Sequence, residues 1–248
     1  MALDSAQEGT LLPPALMHRL LKHGEITECE QIPWGSNYTF CVAIRSGGLE
    51  SRACYKPRRG ERPLWDFPNG TLYLRECAAY VASQNLGWPF IPPTLIRHGP
   101  YGIGSAQFWV ESDPPHAFRE LLDPSDDQLA RIAAFDIVTN NADRKAGHIL
   151  RSSDGKLWGI DQGLCFNVDP KVRTVLQHFC GQPVPERVLG ELAAFRSDSA
   201  RVANLVEALC PLLEEEEIEV FLQRIDWVLE RRVFPNLSGY RSVPWPPF

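Results

Sequence analysis

Apolar residues at helical spacing mark the first readable element. Over residues 12–23, Leu12, Leu16 and Leu20 form one stripe, Met17 and Leu21 an adjoining one, and Gly24 supplies a stop, which predicts a short amphipathic helix. The texture then turns to that of strands. Residues 38–44 and 51–56, on either side of Gly47-Gly48, predict a hairpin that follows the turn cluster Pro33-Trp34-Gly35-Ser36-Asn37. A long polar loop over 57–70 leads to a helix expected to begin at Thr71 as N-cap and to run to Asn85. Beyond the Pro-rich connector 88–93, residues 94–97 and 105–111 predict a second strand pair.

Past Glu111 the strand signals thin and helices take over. Asp113-Pro114-Pro115 is the expected boundary between a β-rich N-terminal lobe, residues 1–111, and an α-rich C-terminal lobe, residues 112–248. Ser125 and Gln128 have capping-box spacing and open a helix over 129–139 that is apolar nearly all round, hence buried. Short strands near 148–151 and 157–160 flank the turn 152–155. The run Glu214–Glu217 precedes apolar residues at helical spacing, which places its charges at a helix's positive end. An α+β fold of two lobes sharing a cleft is the expectation.

Composition narrows the function. The chain has 248 residues, 44% hydrophobic and 23% charged, long enough for a full core. Its net charge of −6 weighs against coating nucleic acid, which takes clustered Lys and Arg. Seven scattered Cys with no CxxC read as reduced thiols. No stretch approaches the roughly 20 apolar residues of a membrane span, and the first residues lack a signal-peptide layout. A cytoplasmic address is expected.

Four charged residues carry the chemistry. Glu76 shares its helical face with Leu72, Ala79, Tyr80 and Ser83, so it points inward and needs a cation; Lys56, at the end of the preceding strand, is the expected partner. A helix rotated to put Glu76 in solvent beside Arg75 is the alternative. The polar segment 140–148 carries Asp143 and His148, and 158–163 carries Asp161, so two strand ends present two carboxylates. Such a pair suits Mg²⁺, which takes few protein ligands and completes its shell on phosphates.

In this order, strand Lys, helix Glu, loop Asp and Asp-x-Gly form a working set for phosphoryl transfer. Lys56 would hold the α- and β-phosphates, Glu76 would fix Lys56, Asp143 would orient or deprotonate the acceptor hydroxyl, and Asp161 would carry the metal. The loop Trp34-Gly35-Ser36-Asn37 would close over the phosphates with its backbone N–H groups.

Asp143-Arg144-Lys145-Ala146-Gly147-His148-Ile149-Leu150 and Gly159-Ile160-Asp161-Gln162-Gly163 resemble the catalytic and metal loops of the phosphatidylinositol 3-/4-kinase-like superfamily and of the related HipA-type kinases. Tyr55-Lys56-Pro57, Pro63-Leu64-Trp65-Asp66-Phe67-Pro68, Gly70-Thr71-Leu72, Arg75-Glu76 and residues 140–145 look like a bacterial, actinomycete-type branch of it. The resemblance covers roughly residues 25–181. It implies a two-lobed protein-kinase-like fold of the atypical kinase type, binding ATP with Mg²⁺ or Mn²⁺. Lys56 and Glu76 would be the nucleotide-anchoring ion pair, Asp143 the catalytic aspartate and Asp161 the metal aspartate. Gln107, Val110 and Glu111 would lie in a hinge against adenine.

Departures from the family pattern are informative. His148 stands where an Asn usually ligates the second metal, so Mn²⁺ would serve as well as Mg²⁺. Lys145 replaces a His, and Gln162 replaces the Phe of the metal loop. The segment 164–182 carries only Lys171 and Arg173 as formal cations, too few for an anionic membrane. A protein Ser/Thr or a small-molecule hydroxyl is the expected acceptor, with Ser36 or Thr174 open to self-modification. A nucleotide-binding scaffold without catalysis, or transfer of an adenylyl group, remains the alternative.

Overall fold

The computed structural model describes residues 13–33, 37–112, 123, 125–237 and 242–247. The expected loop residues Trp34, Gly35 and Ser36, and the expected lobe boundary at Asp113-Pro114-Pro115, lie outside the described residues.

The architecture is α+β, with a sheet in the N-terminal part and helices in the C-terminal part. Helix α1 (Pro14–His23) is followed by strands β1 (Glu25–Ile32), β2 (Thr39–Ser46) and β3 (Leu49–Pro57), helix α2 (Leu72–Asn85), and strands β4 (Thr94–Gly99) and β5 (Gly102–Phe108). The five strands form one antiparallel sheet in the order β1-β2-β3-β5-β4. Period-2 alternation gives it two unlike faces. Phe40, Val42, Ile44, Ala53, Tyr55, Ala106 and Phe108 pack with Met17, Leu20 and Leu21 of α1. Lys56 alternates with Tyr55 and so belongs to the other face, toward α2.

Strand β1 has no counterpart in the sequence reading. Its partners skip between Ile26 and Glu28, a bulge that puts Ile26 and Cys29 three residues apart on the core side. That breaks the alternation by which a strand is recognised.

Helix α2 begins where expected, but its cap differs. The Thr71 hydroxyl donates to Pro68 O, and the orphan N–H groups of Leu72 and Tyr73 go to the carboxylate of Glu61, at 3.1 and 2.8 Å. The helix is buried nearly all round, and Ala78, Ala79 and Ala82 join the larger core. That core is built on α3 (Asp127–Val138), α4 (Glu186–Ser197), α5 (Ser199–Leu209) and α6 (Glu215–Arg231). Asp126, rather than Ser125, caps α3, accepting from the N–H groups of Gln128 and Leu129. Glu214 and Glu217 form the capping box of α6.

Between α3 and α4 lies a two-stranded ribbon of β6 (Ile149–Arg151) and β7 (Leu157–Gly159). Among the described residues no helix is long and apolar enough to cross a membrane.

Candidate functional site

Strand β3 delivers Lys56 and helix α2 delivers Glu76 to the same point, where the Lys56 ammonium pairs with Glu76 Oε1. The Glu76 side chain is only 3% exposed, so the inward orientation is the observed one. Its second oxygen accepts the backbone N–H of Gln162 at 2.9 Å, which ties α2 to the loop after β7. Lys56 Nζ also reaches Asp161 Oδ1 at 2.8 Å. One ammonium therefore bridges the helix carboxylate and the loop carboxylate.

The electrostatics follow from that bridge. Burial disfavours the charge on Lys56, but Asp161 and Glu76 outweigh it and raise its pKa well above the ordinary value. Burial also works against the Asp161 carboxylate; Lys56, then His148, overcome it and hold Asp161 well below the usual carboxylate range. For Glu76 burial prevails and pushes the carboxyl up, with Lys56 opposing. Asp161 is half-exposed and has φ of 57°, a left-handed backbone that is uncommon outside glycine.

His148 faces both carboxylate-bearing loops. Its Nδ1 lies 2.9 Å from Asp143 O, and its Nε2 lies 3.3 Å from Asp161 Oδ2. Burial lowers its pKa to about 4, so the ring is neutral near pH 7. Nδ1 faces the Asp143 carbonyl and also lies 3.5 Å from the Lys145 N–H. In the tautomer with the proton on Nδ1, the Nε2 lone pair and Asp161 Oδ2 are two adjacent ligand atoms for a cation. The donor set fits a divalent ion.

Asp143 sits at the mouth of this group. Burial pushes its carboxyl up to about 6; Lys145 opposes this and Asp161 adds to it. Lys145 Nζ lies 3.3 Å from Asp143 Oδ2, so the residue that looked like a departure in the motif is part of the site.

A buried ion pair beneath the site holds these loops. Arg144, fully enclosed, grips Asp136 of α3 with Nε and one terminal nitrogen at 2.9–3.1 Å. Its other donors reach His148 O, Ile160 O and the Gln162 side chain. Gln162, in place of an aromatic, thus serves as a polar hub between the two loops. Asp136 escaped the sequence reading because it lies inside an otherwise apolar helix. That carboxylate inside the apolar run 132–138, eight residues before an Arg, was the available signal.

Arg75 is also buried. It donates to Cys165 O at 2.7 Å and to Glu217 of α6 at 2.5 Å, under the ring of Phe67. Helix α2 is thereby fastened to the metal-loop segment and to α6.

Other expected residues fall elsewhere. Gln107 lies within β5, paired with Cys54 and Thr94, and its side chain donates to Thr94. It is removed from the expected hinge, which leaves Val110 and Glu111; the Glu111 side chain turns outward to Arg52. Asn37 is used locally, accepting the N–H of Arg62 at 2.8 Å. Thr174 is buried and its hydroxyl accepts from Leu176 N–H, so it is not an accessible modification site. Lys171 pairs with Asp66 of the Trp-Asp-Phe-Pro loop.

No protein-family model matches the chain. Protein Rv2133c of Mycobacterium tuberculosis (strain ATCC 25618 / H37Rv) is 39% identical, over 93% of this chain and 95% of that protein. The chain belongs to the family of Protein Rv2133c. Phosphatidylinositol 4-kinase gamma 4 of Oryza sativa subsp. japonica is 34% identical over 117 residues, 37% of this chain and 20% of the rice protein. Among solved structures, the Helicobacter pylori proinflammatory kinase CtkA covers 84% of this chain and 94% of its own, with 14% identity and a TM-score of 0.48.

Proposed function

We propose that this protein is an ATP- and divalent-metal-dependent phosphotransferase acting on a hydroxyl acceptor. The single observation that carries the reading is the Lys56 ammonium shared by Glu76 and Asp161, with His148 Nε2 facing Asp161. A merely structural ion pair has no use for a second, half-exposed carboxylate beside a neutral imidazole. The partial match to a rice kinase adds support for a kinase-like chain.

Asp161 and His148 would hold Mg²⁺ or Mn²⁺. Among the described residues no three His, Cys, Asp or Glu side chains gather as a metal cage, so two protein ligands leave the rest of the shell to phosphate oxygens and water. Such an ion neutralises charge on the transferring phosphoryl group. Lys56 binds phosphate oxygens and is kept charged and aimed by Glu76. Asp143 takes the acceptor's hydroxyl proton onto its carboxylate and becomes neutral, and Lys145, which favours the ionised carboxylate, keeps it ready to do so. The loop that ends at Asn37 would cover the phosphates, as the resemblance implies, and the backbone of Val110 and Glu111 would border the base.

The acceptor is a small-molecule or protein hydroxyl. Thermal-shift titration with ATP and either metal, followed by tracking label from the γ- or α-position, tests the reading. Metal-dependent stabilisation with γ-transfer is expected. Label leaving from the α-position identifies adenylyl transfer instead, and binding without turnover identifies a scaffold.

A further inference from the structure

Three arginines cluster at the exit of β3, away from the residues given roles above. Arg58, Arg59 and Arg62 are exposed, and among the described residues no carboxylate lies within 4 Å of any of them in an ion pair. The one acid of the segment, Glu61, is committed to the N–H groups that open α2. In a chain of net charge −6, this is a local excess of positive charge.

The cluster borders a cavity. Arg58 and Arg59, with Asn69, Tyr101 and Ile103, line an open recess of about 420 Å³, within the size range of small-molecule sites. Arg58 also borders a narrower recess beside it, lined by Arg62 and Glu61. Its guanidinium lies over Gly70, where φ is 73° and a Cβ would come within 2.5 Å of Arg58 Nε. Glycine at that position leaves room for the guanidinium. Tyr101, also in the lining, stacks on Phe40, ring centroids 4.4 Å apart, and is itself 40% exposed.

We propose that this recess is a second anion site, which takes a phosphate monoester borne on a compact apolar or aromatic body. Two guanidiniums and the Asn69 amide line the recess and supply donors of the kind that bind phosphate oxygens, while Tyr101 and Ile103 offer surface to the organic part. The lining of the recess contains none of the residues of the Lys56 site, but the chain links the two. Arg58 follows Lys56 by two residues, and Glu61, in the same turn, caps the helix that carries Glu76.

Equilibrium binding of phenyl phosphate to the full chain, by calorimetry, tests this without reference to catalysis. Inorganic phosphate and phenol run alongside separate the contributions of the anion and the ring. The expected result is saturable phenyl phosphate binding, weaker for inorganic phosphate and absent for phenol. It falls at least tenfold in the Arg58→Gln/Arg59→Gln double variant, which retains the wild-type melting temperature because both side chains are exposed, and survives in Lys56→Met. Tyr101→Ala should weaken phenyl phosphate more than inorganic phosphate. Binding lost in Lys56→Met but kept in the arginine variant would place the anion in the cleft and overturn the proposal. No saturable binding up to 10 mM, on the order of the weakest specific small-molecule affinities, would overturn it equally.

Discussion

Arg144 and Asp136 form an ion pair with no exposure to solvent on either side chain, directly beneath the loops that carry Asp143 and Asp161. Removing one partner strands the other as a buried charge. Asp136→Ala or Arg144→Met should cost about 3–5 kcal/mol, the range for breaking a buried pair, as a lowered denaturant midpoint. Asp136→Asn, which keeps an acceptor for one donor, should cost less.

Arg75 positions rather than reacts. It is the bolt between α2, Cys165 O and Glu217, and its neighbour Glu76 holds both Lys56 and Gln162 N–H. Arg75→Met should lower stability and reduce turnover at saturating ATP. Glu217→Gln, in the otherwise native chain, keeps a hydrogen-bond acceptor for the guanidinium and should retain most of the turnover. Equal loss in both variants would mean that Glu217 charge, not α2 placement, is what matters.

Glu191 gives a pH signature in the helical part. It accepts both Arg131 guanidinium donors at 2.7–2.8 Å and the Trp88 indole N–H at 2.7 Å. The Arg131 hydrogen bonds, chiefly, lower its pKa. A depressed carboxylate contributes stability above its unfolded value, near 4.3, and loses it as pH falls through the folded one. Glu191→Gln should therefore cost about 1–2 kcal/mol at pH 7, and the gap to wild type should shrink as pH drops below about 4. Urea unfolding at several pH values reads this; a gap that widens on acidification would contradict it.

Much of the site was legible because polar residues stood where packing asks for apolar ones. Glu76 on an apolar helix face demanded a cation, and Lys56 supplies it. Asp143 and Asp161 were readable from loops too rich in charge for plain turns. Arg75 was not, because its partner Glu217 lies 142 residues away and nothing local signals it. The helix caps went astray for a related reason. Thr71 and Ser125 have the right chemistry, but the path of the loop brings Glu61 and Asp126 to the free N–H groups first. Strand β1 was hidden by a bulge that removes its alternation.

Lys56→Met and Glu76→Gln separate binding from alignment. The first removes the cation that both carboxylates face and should weaken ATP binding by at least tenfold. The second leaves Lys56 to Asp161 alone and should reduce turnover more than affinity. Isothermal titration with ATP and Mn²⁺ beside a turnover assay distinguishes the two.

The most direct measurement follows γ-labelled ATP through wild type, Asp143→Asn and Asp161→Asn with Mg²⁺ or Mn²⁺, water serving as acceptor when no other is supplied. Metal-dependent release or transfer of the γ-label is expected in wild type. Asp143→Asn should keep nucleotide binding while losing about 10²–10⁴-fold in rate, the range of general-base catalysis; Asp161→Asn should lose metal-dependent binding itself. No metal-dependent γ-turnover in wild type, or identical behaviour of the two variants, would contradict the assignment of phosphoryl transfer to this site.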